Sequence, residues 1–221
     1  MTCGAKMKSV NEELRQAARD GGEAGLKALL LMPGCDPMSK DNYGRTALVV
    51  ASYNGHASCV GILLPVSDAL AEGNNGATAL MHAASSGSAD CVQLLLPASD
   101  ALAKDKHGLT ALMRAAFSGS FDCVQLLLPA SDASAKDRDD KTALMRAASE
   151  GHCDCIQLLL PASEALAKDN NGMTASDHAR GRGHALLGFL IDAYAIALGE
   201  MSALSSSTGP GAQRKSSSLR V

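Results

Sequence analysis

The tripeptide Thr-Ala-Leu begins at Thr46, Thr78, Thr110 and Thr142, and a degenerate Thr-Ala-Ser follows at Thr174, each step being 32 residues. Gly55, Gly87, Gly119, Gly151 and Gly183 keep the same register, as do Cys59, Cys91, Cys123 and Cys155, and Pro65, Pro97, Pro129 and Pro161. A period of this size is too short for a unit that closes on its own core. It marks one supersecondary element copied in series, each copy burying its apolar flank against the next.

Composition agrees with thin, closely packed layers. The chain has 221 residues and is 46% hydrophobic, yet it holds only three Phe, three Tyr and no Trp. Its core must close on Ala, Leu, Val, Met and Cys rather than on large aromatic side chains.

Within one period the order of residues predicts a helix pair. The threonine series sits where a side-chain oxygen caps the first free N–H groups of a helix, and a short Ala/Leu/Met-rich helix follows, such as Ala79 to Ser85. The glycine series ends it, because a residue without Cβ accepts the left-handed conformation of a tight turn. A second helix carries Cys-Val-Gln-Leu-Leu-Leu, as in Cys91 to Leu96, and the proline series is expected to stop it. The remainder, Ala98 to Gly108 in one copy, holds the turn formers Ser99, Asp100, Asp105 and Gly108 and suits an extended, hairpin-like link.

The stretches Asp41-Asn-Tyr-Gly-Arg-Thr-Ala-Leu-Val-Val-Ala51 and Asp105-Lys-His-Gly-Leu-Thr-Ala-Leu-Met-Arg-Ala115 carry a family resemblance. The chain resembles the ankyrin repeat family, whose unit is a β-turn and two antiparallel helices with a Thr-Pro-Leu-His-x-Ala signature. The resemblance covers about residues 9–200 and implies an all-α ankyrin-repeat solenoid of antiparallel helix pairs joined by hairpin-like loops. Six units are expected, counting both caps: a cap at 9–40, repeats at 41–72, 73–104, 105–136 and 137–168, and a capping repeat at 169–200. Residues 1–8 are expected to form an N-terminal extension, and 201–221 a disordered, Ser-rich basic tail. The signature Pro is Ala throughout, and the signature His becomes Val49, Met81, Met113, Met145 and Asp177. Since that family histidine bridges neighbouring loops, looser contacts between hairpins are expected. In the last unit a core Leu becomes Ser176 and a buried Ala becomes Arg180, which are expected to face water.

The sequence offers no chemistry of the catalytic kind. Cysteines on successive repeats lie roughly 8–10 Å apart, as packed helices do. Zinc needs ligands about 2.3 Å from one point, and a disulfide needs Cα atoms within about 7 Å. The series therefore reads as small buried hydrophobes, and neither metal nor cofactor is expected. His152, Cys153 and Cys155 lack a second ligand pair nearby. No phosphate-cradling loop, nucleophile elbow or His-Glu-x-x-His pattern occurs, so the chain is expected not to be an enzyme. The longest apolar run, Ala185 to Leu198, is interrupted by Gly188 and Asp192 and is not a membrane span. With seven cysteines and no basic-then-apolar leader, a reduced cytoplasmic setting is expected.

The resemblance implies that a partner sits in a concave surface made by the hairpin fingers and the exposed side of each first helix. Carried over position by position, the candidate partner-binding residues are Tyr43, Arg45, Tyr53, His82, Lys106, His107, Arg114, Phe117, Arg138, Lys141, Arg146, His178 and Arg182. Eleven Lys and Arg and only four acids fall on this face, although the whole chain carries −3. His82, Arg114, Arg146 and His178 would form a ladder with one rung per repeat. Two readings stay open. The face meets another protein through an acidic segment anchored by Tyr43, Tyr53 and Phe117. Alternatively its bases only solvate a groove and offset Asp90, Asp122 and Asp154 at the second-helix N-termini. The expected function is a monomeric adaptor or scaffold for protein–protein interaction, the alternative an inhibitory or host-directed effector using the same face. Nucleic-acid binding stands behind both, because stacking aromatics are few. In the tail, Ser216, Ser217 and Ser218 follow Arg214-Lys215 and are candidate phosphorylation sites, and Leu219-Arg220-Val221 resembles a C-terminal peptide ligand.

Overall fold

A computed structural model describes the backbone of residues 3–207 and the side chains of 10–199. Among the described residues there are twelve α-helices and no strand. They are α1 (Cys3–Asp20), α2 (Glu23–Leu30), α3 (Ala47–Tyr53), α4 (Ala57–Leu63), α5 (Ala79–Ser86) and α6 (Ala89–Leu95). The chain continues with α7 (Ala111–Ser118), α8 (Phe121–Leu127), α9 (Ala143–Glu150), α10 (Cys153–Leu159), α11 (Ala175–Gly181) and α12 (Ala185–Ser207). The odd-numbered helices stack in one row and α2 to α10 in a second, while each odd helix also packs on the even helix that follows it.

The local signals act as the residue types require. Thr46, Thr78, Thr110, Thr142 and Thr174 cap α3, α5, α7, α9 and α11, each hydroxyl oxygen accepting an N–H three residues on at 3.3–3.4 Å. Gly87, Gly119 and Gly151 close α5, α7 and α9 at φ of 72°, 74° and 78°, the left-handed region. The proline series behaves differently from expectation. Pro65, Pro97, Pro129 and Pro161 each lie inside a one-turn 3-10 helix that extends the even helix, as in Leu64–Val66. Chain direction changes one residue later, at the extended Ser67, Ser99, Ser131 and Ser163.

The interior is a continuous seam of Ala, Leu, Met, Val and Cys running through every pair. Cys59, Cys91, Cys123 and Cys155 are at most 1% exposed, and burial, first among the causes, pushes each thiol up from its ordinary value. Neighbouring pairs are also joined by the residue after three of the turn glycines, Gly55, Gly119 and Gly151. His56 Nε2 lies 2.8 Å from the Arg19 carbonyl and His152 Nε2 3.0 Å from that of Phe117; a carbonyl only accepts, so these nitrogens donate. Ser120 Oγ donates to Gly87 O across the same step at 3.3 Å.

Both ends depart from expectation. α1 begins at Cys3, so residues 3–8, read above as an extension, continue the first helix of the cap. At the other end α12 runs to Ser207, past residue 200, and packs chiefly across α11. Ser176 and Arg180 do not simply face water. Ser176 is 3% exposed, and Arg180 pairs with Asp192 of α12 while its guanidinium lies 5.0 Å from the centre of the Phe189 ring. The helices cross closely at Gly188, where a Cβ would stand 3.0 Å from the Ser176 carbonyl oxygen. Residues 208–221, with the candidate Ser216, Ser217 and Ser218, lie outside the described residues. No described helix is long and apolar enough to cross a membrane.

Two outcomes follow. Gly108 (φ 78°) and Gly172 (φ 75°) share a left-handed backbone, but a Cβ at Gly108 would stand 3.0 Å from Arg138 N and one at Gly172 would meet open space. In urea unfolding, Gly172→Ala should cost about 1–2 kcal/mol from backbone strain alone, and Gly108→Ala clearly more. Thiol-reactive reagent followed by mass spectrometry should label exposed Cys153 in the native chain and reach Cys59, Cys91, Cys123 and Cys155 only after unfolding.

Candidate protein-binding face

Four of the five fingers are each organised by one carboxylate. Asp105 Oδ1 accepts the backbone N–H groups of His107 and Leu109, both at 2.8 Å, and Oδ2 accepts Nη2 of Arg114 at 2.6 Å. Asp137 repeats the pattern with Asp139, Lys141 and the Arg146 guanidinium. Asp169 does so with Asn171, Met173 and His178, whose Nε2 lies 2.9 Å from Oδ2. Asp41 takes the N–H groups of Tyr43 and Arg45, but the ladder position is Val50 there, and its other oxygen binds the Arg45 side chain at 2.8 Å. In the last three fingers one short side chain thus shapes the finger and ties it to the first helix nine residues on.

The second full repeat lacks this device. Gly73 replaces the aspartate, Asn75 Oδ1 accepts only the Ala77 N–H at 3.2 Å, and His82 has no carboxylate beside it. His82 instead meets Tyr53 edge-on, ring centres 5.8 Å apart. Burial, then the positive charges of Arg114 and Arg45, lower its pKa to about 4.

The fingers are not loosely associated, as loss of the signature histidine suggested. Asn74 N donates to Tyr43 O, Lys106 N to Asn75 O, Arg138 N to His107 O and Asn170 N to Asp139 O, at 2.9–3.1 Å. Lys40, Lys104 and Lys136 reach one repeat ahead and donate to the carbonyls of Glu72, Lys136 and Lys168. These backbone ties do the joining that the family assigns to a side chain.

The structure brings Arg114 and Arg146 to the wall of a single cavity. It also alters what the ladder can do. Arg114, Arg146 and His178 face their own aspartates, and His178 is 8% exposed, so it is a finger brace and not an open contact. Counting Asp41, Asp105, Asp137 and Asp169 with the face cuts the surplus of bases over acids from seven to three. Arg45 is likewise paired, and its guanidinium lies 4.8 Å from the centre of the Tyr43 ring. Lys106, His107, Arg138 and Arg182 are exposed and Lys141 half-buried; their side chains make no ion pair among the described residues. Tyr43, Tyr53 and Phe117 remain 69%, 53% and 52% exposed. The finger aspartates were not singled out in the sequence as partners of the ladder bases. Their signal was present: an acid nine residues before Arg114, Arg146 and His178.

The acids and His82 titrate in separable windows. Burial raises Asp105 and Asp169, but the backbone N–H groups and the Arg114 or His178 partner outweigh it and hold both below the ordinary carboxylate range. A lowered carboxylate contributes stability above its unfolded value near 4 that is lost as pH falls through the folded one. His82 is also depressed, so its contribution is complete above about 6.5 and declines down to about 4. Melting temperature should therefore fall in two stages on acidification. His82→Gln should flatten the stage between pH 6.5 and 4, and Asp105→Asn part of the stage below it.

The family model for ankyrin repeats matches three overlapping stretches, residues 14–105, 64–137 and 112–197. No curated protein matches the chain. With the helix pairs, caps and fingers in place over the matched span, the chain belongs to the ankyrin repeat family.

Proposed function

We propose that the chain is a non-catalytic adaptor or scaffold that holds another protein on its concave face. Ankyrin repeats are in general protein–protein interaction modules. The observation that carries the finer reading is the division of charge along that face. Bases close to the helices are neutralised by the finger aspartates, while Lys106, Arg138, Lys141 and Arg182 have no ion-pair partner among the described residues. Exposed Tyr43, Tyr53 and Phe117 stand along the same face. An acidic partner segment crossing the fingertips would meet these free charges and pack on the aromatic rings.

The test is a salt titration of a partner recovered by affinity capture. Affinity should fall as salt rises, and Lys106→Glu with Arg138→Glu and Lys141→Glu should slow association about tenfold or more. Charge reversal belongs at these tips: Arg114→Glu would set a second carboxylate against Asp105 and test stability instead. Binding indifferent to both salt and fingertip reversal removes the acidic-segment reading, and capture abolished by nuclease points to nucleic acid.

A further inference from the structure

Leu109 follows the finger glycine of its repeat and Phe117 lies in the last turn of α7. The equivalents of Leu109 are Arg45, Ala77, Lys141 and Met173, and those of Phe117 are Tyr53, Ser85, Ser149 and Gly181. Only the third full repeat sets a large aliphatic beside an aromatic. On the neighbouring first helix the place of the aromatic is taken by Ser85, which leaves room next to Phe117. The result is a cavity of about 360 Å³ between repeats, with Met113, Leu109 and Phe117 as its apolar surface and Ser85, Arg114 and Arg146 around them.

The guanidinium Nη and hydroxyl groups at this cavity are already engaged, while Nε of Arg114 and of Arg146 is shut off from solvent without a hydrogen-bond partner among the described residues. Arg114 donates to Asp105 and, at 3.2 Å, to Ser85 Oγ; Arg146 pairs with Asp137; Ser118 Oγ donates to Ala84 O and Ala115 O. A carboxylate entering here would lose its hydration and find both cations facing carboxylates of their own, an unfavourable exchange. The volume lies near the lower end of the roughly 300–1,000 Å³ range of ligand sites, which suits one side chain. Phe117, half-exposed at 52%, is the surface that such a side chain would cover.

We propose that this cavity receives one large, uncharged apolar side chain of the partner, of the Leu, Met or Phe class. It lies inward of the fingertips that meet the partner's acids. The proposal rests on the reading of the concave face as the partner surface and adds a requirement to it: the bound segment carries an apolar anchor as well as negative charge.

The experiment needs no partner. The full ¹⁵N-labelled chain is titrated with N-acetyl-leucinamide, N-acetyl-phenylalaninamide and N-acetyl-aspartate amide and followed by amide shifts. The two apolar amides should shift the resonances of Leu109, Met113 and Phe117 and saturate, and the aspartate amide should not. Ser85→Leu, a large residue where neighbouring repeats carry Tyr53 and Phe117, should fill the cavity and abolish the shifts; Phe117→Ala should remove its wall with the same effect. Lys106→Glu should leave them unchanged, which separates failure of this proposal from failure of the fingertip reading. No apolar shifts, equal shifts with the aspartate amide, or shifts that persist in folded Ser85→Leu would overturn it.

Discussion

A repeat of this size has no interior of its own, and everything else in the molecule follows from that. Leu48, Leu80, Leu112 and Leu144 are fully buried because the flank of each odd helix is sealed by the next. Close approach of the rows requires the small residues that recur with them, Ala51, Ala83, Ala115 and Ala147, also fully buried. Where copies run out, the seal has to come from elsewhere. At the C-terminal end α12 turns across α11, and Ser176, Arg180 and Asp192 form a polar contact between the two helices, Ser176 standing at the position that is a leucine in the preceding copies.

In the proposed function the finger aspartate links this scaffold to recognition. By gathering two backbone N–H groups and one base it gives the finger a fixed shape and removes a charge from the groove floor. Its near-complete burial is tolerable because both oxygens are bonded and the opposite charge is adjacent. The same contact thus separates the face into a neutral, partly apolar centre and basic tips. Recognition by such a surface depends on where charges remain available, not on how many bases line it.

The fold was legible in the sequence because the side chains that specify it act locally. A threonine caps its own helix, a glycine turns its own corner, and the cysteine register signals burial. The proline misled because it sits within a last 3-10 turn instead of ahead of the bend. The charge balance of the candidate face was not legible. Asp105 was read as a turn former, which it is, but its second oxygen is committed to Arg114 across a bend that no short window reveals. Ties between fingers were hidden for another reason: one set runs through backbone N–H and C=O groups and leaves no mark on residue type, and the lysines that add to it end on backbone carbonyls. His178 looked like an open rung by its register and became buried when Asp169 drew it inward.

The gap at Gly73 gives the array a mechanical character that uniform copies would lack. The last three fingers are locked to their helices by a carboxylate, the first spends its carboxylate on Arg45 of the same finger, and the second holds on by one asparagine and by its neighbours' main chain. A spring made of nearly identical coils bends at the coil with the fewest braces. The side-chain braces between finger and helix are therefore concentrated in the C-terminal half of the array, and at the unbraced second finger Tyr53 and His82 meet edge to face instead.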